Sequence, residues 1–273
     1  MNQIGTLIRY ADITPERLAF YRQIGLDSIQ LGGVYSDLWA DTPEAHRKSE
    51  ALFELLSQYD LAVAGLFLAY PGQDWKNPEN TVGLVPTPTR TERLQMTFNA
   101  MQWAQKFNIK YISCHAGFIP ESDDENTACL LGVLKKICQQ SEAMEQFFLL
   151  ETGTETVHGL QMIFERVNSP ALGLNFDPAN MLYYDLDDPS EVIKQHFERI
   201  KIVHCKDAVR PAPGEKYGHE TILGQGGTNF ANLIAMLRER AFPGAMIIER
   251  ELPFGPEQQQ DVANAVKLLR QLL

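Results

Sequence analysis

Four apolar runs in the second half of the chain each end in a residue that can bind a metal ion or transfer a proton. The runs are FFLLE, LGLNFD, IKIVH and MIIE, and their last residues are Glu151, Asp177, His204 and Glu249. Side chains alternate between the two faces of a strand, so each of these residues shares a face with the residue two positions earlier. If those faces point into one interior, three carboxylates and an imidazole converge on one point.

Three carboxylates brought together in a partly dry pocket repel one another strongly, and their pKa values rise. A divalent cation removes this conflict. Hard oxygen donors with one nitrogen favour Mn²⁺, Mg²⁺ or Co²⁺, with Zn²⁺ also possible, and disfavour a metal that prefers thiolates. The pattern therefore predicts one divalent ion held by Glu151, Asp177, His204 and Glu249. Taken singly, an acid at a strand end is more often a helix cap or a surface charge.

Eight short apolar runs alternate with eight amphipathic stretches, which is typical of parallel β–α units rather than of a sandwich. The predicted strands are 4–10, 27–31, 61–69, 109–115, 147–151, 171–177, 200–204 and 246–249. The predicted helices are 14–24, 43–58, 89–107, 124–140, 155–167, 189–198, 228–240 and 257–272. Pro15, Pro43 and Pro189 each follow a Thr or Asp that can cap the helix.

The length of 273 residues is that of a (β/α)8 TIM barrel formed by one α/β domain, residues 1–273. A doubly wound open sheet is the main alternative, but no G-x-G-x-x-G follows the first strand. In a barrel, catalytic side chains project from the carboxyl ends of the strands, where the four candidate ligands lie. The proline-rich segment 71–88 is predicted to be a long loop over the barrel mouth.

Composition excludes several classes of partner and compartment. The net charge of −11 opposes binding to nucleic acid or to an anionic membrane. No apolar run approaches the ~20 residues of a membrane-spanning helix, and no secretory signal is visible. The four cysteines form no C-x-x-C pair and are expected to be reduced thiols in a cytoplasmic protein.

Several segments resemble the sugar phosphate isomerase/epimerase family of xylose isomerase-like TIM barrels. They are LLETGTET, LGLNFDPAN, IVHCKDA, LGQGGTNF and MIIERE, with a more diffuse likeness at SCHAGFIP. The resemblance implies a single divalent ion at Glu151, Asp177, His204 and Glu249, the residues that the strand ends select independently. In the ketose 3-epimerase branch, the positions of Glu151 and Glu249 also serve as acid and base on opposite faces of the substrate.

This pattern predicts a metal-dependent isomerase or epimerase that acts on a small sugar or sugar phosphate. A cation stabilises an enediolate as one glutamate removes the proton next to the carbonyl and its partner returns one. Isomerisation, epimerisation and dehydration share this intermediate, so a lyase of the inosose dehydratase type is a second hypothesis. A barrel that binds sugar without turnover is a third. A nuclease of the endonuclease IV type would need more histidines and a basic groove.

Four further residues are candidates for substrate binding. Lys206 shares strand parity with His204, and the alternative is a structural lysine paired with Asp207. His115 ends the fourth strand, and the alternative is a buried histidine. Arg210 and Asn180 correspond to substrate-contacting positions of the epimerase branch, which carries an arginine at the first and a histidine at the second. A solvated loop arginine is the alternative for Arg210, and Asn180 departs from the branch pattern.

Each of the remaining candidates also has a structural interpretation. Glu155 and Glu251 flank the site and could orient ligands, or could be ordinary helix-start and loop charges. The segment 223–228, LGQGGT, could hold a phosphate on its amides, although a glycine turn before a helix cap is favoured. Aromatic residues after the early strands could form a wall for a sugar or simply pack: Trp39, Trp75, Phe67 and Phe118. A homo-oligomer is possible.

Overall fold

The computed structural model describes residues 2–273, and its central element is a closed barrel of eight parallel strands. The barrel strands are β1 (Ile4–Arg9), β2 (Ser28–Gly32), β3 (Ala62–Leu68), β4 (Tyr111–Cys114), β5 (Phe147–Glu151), β6 (Leu172–Phe176), β7 (Ile200–Cys205) and β10 (Ala245–Ile248). Around the barrel the strand order is β1-β10-β7-β6-β5-β4-β3-β2, so each strand lies beside its neighbour in the chain of β–α units. The predicted (β/α)8 TIM barrel is confirmed, and the open sheet is wrong.

Eight longer helices cover the outside of the barrel, as the amphipathic stretches predict. They are α1 (Pro15–Ile24), α3 (Pro43–Gln58), α5 (Thr87–Lys106), α6 (Glu125–Ala143), α7 (Val157–Val167), α9 (Pro189–His196), α10 (Phe230–Glu239) and α11 (Pro256–Leu272). Thr14, Thr42 and Asp188 cap their helices through side-chain oxygens, as expected for a cap followed by proline. No helix among residues 2–273 is long and apolar enough to cross a membrane.

The strand–helix loops at the carboxyl end of the barrel carry short elements that the sequence pattern did not predict. They are α2 (Ser36–Trp39), α4 (Pro78–Thr81), α8 (Pro178–Tyr183) and an antiparallel ribbon of β8 (Asp207–Val209) and β9 (His219–Thr221). Each of these elements is three to six residues long, which is too short to give a periodic pattern in the sequence. They build the rim around the barrel mouth.

The barrel interior is apolar towards the amino ends of the strands and polar towards their carboxyl ends. Leu149, Ile202 and Ile247 form a small buried cluster inside the barrel, separate from the main core between sheet and helices. Two residues further along each of these strands come Glu151, His204 and Glu249, which must therefore also point inward. The predicted strand parity is confirmed.

The segment 71–88 lies over the mouth, and two buried arginines of α5 hold it there. Arg93 donates to the carbonyls of Gly83 at 2.6 Å and Pro71 at 3.3 Å. Arg90 donates to the carbonyl of Leu84 at 2.8 Å. The segment therefore contains the short helix α4 and is tied to α5 by these hydrogen bonds.

Candidate metal centre and cavity

Four side chains from four strands meet at the top of the barrel interior. Nδ1 of His204 lies 2.9 Å from an oxygen of Glu151, 2.9 Å from Glu249 and 3.6 Å from Asp177. One ligand atom from each residue lies within 4.8 Å of all the others. Glu151, Asp177 and His204 are buried, and the Glu249 side chain is 13% exposed. The structure thus brings together the four residues that the strand ends select.

Asp177 both caps a helix and points an oxygen atom at the cluster. It directly follows β6 and is the N-cap of α8, where its Oδ1 accepts hydrogen bonds from the amides of Ala179 at 2.8 Å and Asn180 at 3.0 Å. These bonds fix the carboxylate plane. The other oxygen, Oδ2, is aimed at the cluster and has no hydrogen-bond partner among residues 2–273. One carboxylate therefore caps a helix and offers a ligand atom.

Lys206 and His204 lie among the acids of the cluster, and the groups shift one another's pKa values. Burial would raise the pKa of Glu249, but the Lys206 ammonium and the His204 ring lower it well below its usual range. Burial would lower the pKa of His204, yet the surrounding carboxylates, Glu249 foremost, raise it well above 6.5. The site therefore favours an ionised Glu249 and positive charge at its centre, whereas burial raises the pKa of Asp177.

The donor set fits a divalent cation. Three inward atoms are buried and make no well-aligned hydrogen bond within the described part of the chain: His204 Nδ1, Asp177 Oδ2 and Glu249 Oε2. Unpartnered buried polar atoms are rare and costly unless an ion or water satisfies them. Ligands about 2.1 Å from an ion lie roughly 3 to 4.3 Å from one another, close to the spacing found here. Three carboxylates and one imidazole suit Mg²⁺, Mn²⁺ or a similar ion.

A cavity of about 340 Å³ opens above the cluster towards the rim. Glu249, His115, Lys206 and Asn180 line it, so three of the four predicted substrate-binding residues face it. Arg210 does not line this cavity. Its guanidinium bonds to Asp185 and to the Leu186 carbonyl, outside the mouth.

His115 stands between Glu151 and the cavity. Its Nε2 lies 2.5 Å from Oε2 of Glu151, and its side chain is 11% exposed while that of Glu151 is 1% exposed. Glu151 itself does not line the cavity. The two glutamates are therefore unequal: Glu249 faces the cavity directly, and Glu151 lies beneath a histidine.

Lys206 is buried beside the cluster, and its partner is not Asp207. Its Nζ contacts Glu251 and lies 3.6 Å from Glu249 and 3.9 Å from Asp177. It also lies 3.5 Å from Oδ1 of Asn180. The alternative of an Asp207-paired lysine is wrong, because adjacent side chains leave opposite faces of the strand.

Asp207 instead binds the segment LGQGGT. Its Oδ2 accepts from the amides of Gly224 and Gly226, each at 3.0 Å, and its Oδ1 accepts from Thr228 Oγ1 at 2.8 Å and Thr228 N at 3.2 Å. These amides face a carboxylate of the chain itself, so they do not form a phosphate cradle. The favoured interpretation as a structural glycine turn agrees with this geometry.

The two flanking glutamates have different surroundings. Glu251 is exposed at the rim and holds Lys206. Glu155 is buried, accepts from Thr154 Oγ1 at 2.9 Å, and does not line the cavity. Burial raises the pKa of Glu155 to about 7.

An aromatic wall around the cavity was largely missed by sequence reasoning. Trp75 and Phe67 line the cavity as considered above, whereas Phe118 packs on Tyr184 and Trp39 on Tyr35. The larger part of the wall comes from four tyrosines that the pattern did not single out: Tyr35, Tyr183, Tyr184 and Tyr217. The rings of two of them, at positions 183 and 217, are stacked with centroids 5.4 Å apart. These tyrosines lie in loops or at the end of the short helix α8, where no periodic signal marks them.

Comparison with known proteins agrees with this architecture. A family model described as a xylose isomerase-like TIM barrel matches residues 18–272. An inosose dehydratase from Clostridium botulinum is 26% identical over an alignment of 129 residues, and the match covers 42% of this chain. The matched region spans only 41% of that enzyme.

Solved structures extend the likeness over nearly the whole chain. A xylose isomerase domain protein from Planctomyces limnophilus superimposes with a TM-score of 0.90 at 28% identity, covering 100% of this chain and 98% of the other. A xylose isomerase-like barrel from Mycobacterium smegmatis in complex with magnesium gives 0.74 at 16%, covering 100% and 96%. The 3-keto-D-glucoside 4-epimerase from E. coli gives 0.72 at 15%, covering 99% and 100%. The family model covers most of the chain, and the chain therefore belongs to the xylose isomerase-like TIM barrel family.

Proposed function

We propose that the protein is a divalent-metal-dependent isomerase or epimerase of a small polyhydroxy carbonyl compound, acting through an enediolate. The observation that carries this proposal is the cluster of Glu151, Asp177, His204 and Glu249 at the floor of a cavity of about 340 Å³. That volume lies at the lower end of the range for small-molecule sites. The family is also one whose structural neighbours include sugar epimerases.

These four side chains would hold the ion. A bound divalent cation supplies a Lewis acid that stabilises negative charge on the carbonyl and hydroxyl oxygens of the substrate. Lys206, buried beside the ligands, adds a second positive charge that balances Glu249 and Asp177.

Proton transfer is assigned to two groups on opposite sides of the barrel mouth. Glu249 follows β10 and His115 follows β4, and these strands lie four positions apart in the ring of eight. Of the two glutamates in the cluster, Glu249 is the one that lines the cavity, so it would take the proton from the carbon next to the carbonyl. On the other side, Glu151 reaches the cavity through His115, whose Nε2 contacts its Oε2. Two proton-transferring groups facing each other are what inversion at carbon requires.

The charges of the cavity favour a substrate without a phosphate group. Its cationic residues are already paired with carboxylates: Lys206 with Glu251, and Arg9 with Asp12 at 2.7 Å. A phosphate placed there would meet the acids of the lining without an uncommitted cation. The aromatic wall suits the apolar C–H faces of a sugar or cyclitol ring. We therefore narrow the proposed substrate class to ketoses and inososes that carry no phosphate group.

A dehydratase is the second candidate function, and the observation that favours it is the match to inosose dehydratase. Loss of a β-hydroxyl from the same enediolate needs the same residues. The two reactions differ in whether the hydroxyl on the neighbouring carbon leaves as water.

The test is proton exchange in D₂O. The protein is incubated with Mn²⁺ and a panel of neutral ketoses, inososes and ketose phosphates, and deuterium is followed by NMR and mass spectrometry. Uptake with a rearranged sugar is expected, and uptake with loss of water would indicate the dehydratase. Exchange with phosphorylated sugars alone would contradict the neutral substrate, and no exchange at all would indicate a binding protein.

Two substitutions test whether exchange requires both glutamates. Glu249→Gln and Glu151→Gln are each expected to abolish exchange. Glu54→Gln is the matched control, because Glu54 is an exposed residue of α3. Normal exchange in either of the first two variants would refute its part in proton transfer.

A further inference from the structure

Directly below the cluster, the barrel interior contains a layer of polar side chains that touches neither the cavity nor the expected ion. Gln30 of β2, Ser113 of β4 and Asn175 of β6 are all fully buried there. The carbonyl oxygen of Gln30 lies 2.6 Å from Nε2 of His204, although the two residues are 174 positions apart. Burying an amide costs several kcal/mol unless it is hydrogen-bonded, so packing alone would favour an apolar side chain.

The hydrogen bonds of this layer have a fixed direction. The carbonyl of Leu66 can only accept, so the Ser113 hydroxyl, 2.9 Å away, donates to it. Having used its proton, Ser113 Oγ accepts from the Gln30 amide nitrogen at 3.0 Å. The same nitrogen lies 3.1 Å from Oδ1 of Asn175. The carbonyl oxygen of Gln30 must therefore face His204 and accept from it.

This direction decides which nitrogen of His204 is available for a ligand bond. An accepting Gln30 oxygen requires the proton on Nε2, and the lone pair of the neutral ring is then on Nδ1. Nδ1 is the atom that lies 2.9 Å from both Glu151 and Glu249. The chain of bonds that starts at the Leu66 carbonyl thus ends at the nitrogen facing the three carboxylates.

We infer that Gln30 is a positioning residue, which fixes the Nε2–H tautomer and the ring orientation of His204 so that Nδ1 binds the divalent ion. This inference rests on the proposed metal site. Gln30 acts only through His204, because its amide nitrogen donates its hydrogen bonds to Ser113 and Asn175. A partner that orients a ligating histidine commonly contributes 10- to 100-fold to metal affinity.

The test compares two substitutions of the same kind. Gln30→Met keeps the length and bulk of the side chain but removes the acceptor. Gln146→Met is the matched control, because Gln146 is also buried, makes two hydrogen bonds to the Met101 and Ile109 carbonyls, and precedes β5 at the opposite end of the barrel. Mn²⁺ affinity is measured by calorimetry on chelator-treated protein, and folding by urea unfolding.

Gln30→Met is expected to weaken Mn²⁺ binding about 10- to 100-fold, and Gln146→Met to leave it unchanged. Ser113→Ala, which keeps Gln30 but frees its amide to rotate, is expected to weaken binding by a smaller factor. In the wild-type protein loaded with Zn²⁺, long-range ¹H–¹⁵N spectra are expected to show the His204 proton on Nε2 and the metal on Nδ1.

Wild-type affinity in Gln30→Met, or metal on Nε2 of His204, would overturn this inference while leaving the proposed function intact. An equal loss in Gln146→Met would do the same, since it would reduce the effect to lost stability. A wild-type protein that binds neither Mn²⁺ nor Zn²⁺ would overturn the proposed function, and this inference with it.

Discussion

Replacing Asp207 by Asn tests how the loop beside the site is held. Asp207 is 1% exposed and its carboxylate accepts from Gly224, Gly226, Ala208 and both polar groups of Thr228. Asn has nearly the same shape but only one acceptor oxygen. If that oxygen serves Thr228, the NH₂ group faces the amides of Gly224 and Gly226, and both of those bonds are lost.

The magnitude follows from those two bonds. A hydrogen bond to a charged group contributes about 1.5–3 kcal/mol, so two of them amount to roughly 3–6 kcal/mol. Gly224 is exposed and Gly226 half-buried, so water can replace part of this. We expect Asp207→Asn to lower the free energy of unfolding by about 2–4 kcal/mol.

The assay is urea unfolding of the metal-free protein, combined with hydrogen exchange at Gly224 and Gly226. The control is Asp188→Asn, because Asp188 caps α9 through a single bond to Ser190 and Asn caps helices equally well. A loss below about 0.5 kcal/mol in Asp207→Asn would refute the reasoning, as that is the range of a neutral surface change. Unchanged exchange at the two glycines would show that any loss arises elsewhere.

Three further predictions concern the metal, a buried acid and the segment 71–88 over the mouth. Mn²⁺ at 100 times its Kd should stabilise the fold by about 2.7 kcal/mol in thermal unfolding, and His204→Gln should abolish this gain. Glu155 has a folded-state pKa of about 7 against an ordinary 4.5, so its protonated form favours the fold below pH 4.5 and this contribution is lost as the pH rises through 7. Glu155→Gln should therefore unfold in urea with a flatter pH dependence and be more stable at pH 8 by up to about 3 kcal/mol; an unchanged profile would contradict the raised pKa. Arg93→Met should lower the free energy of unfolding by about 1–3 kcal/mol and speed hydrogen exchange and proteolysis within 71–86. Wild-type protection of this segment in the variant would show that Arg93 does not hold it in place.

The sequence was most informative where the decisive interactions are local. Strand parity is a property of neighbouring peptide units, so Leu149 with Glu151 and Ile247 with Glu249 could be assigned to one face in advance. Parallel strands in a barrel all present their carboxyl ends at the same mouth. Together these two facts place Glu151, Asp177, His204 and Glu249 near one another without coordinates.

Only the tertiary structure decided which distant residues complete the site. Gln30 meets His204 across 174 positions, and Arg210 turns to the 185–187 turn rather than to the cavity. Lys206 and Asp207 are neighbours in sequence, yet one joins the acidic cluster and the other holds the 223–228 loop. A residue's type and spacing determine the face on which it lies, whereas its partners depend on how the barrel closes and on the directions of loops that have no periodicity.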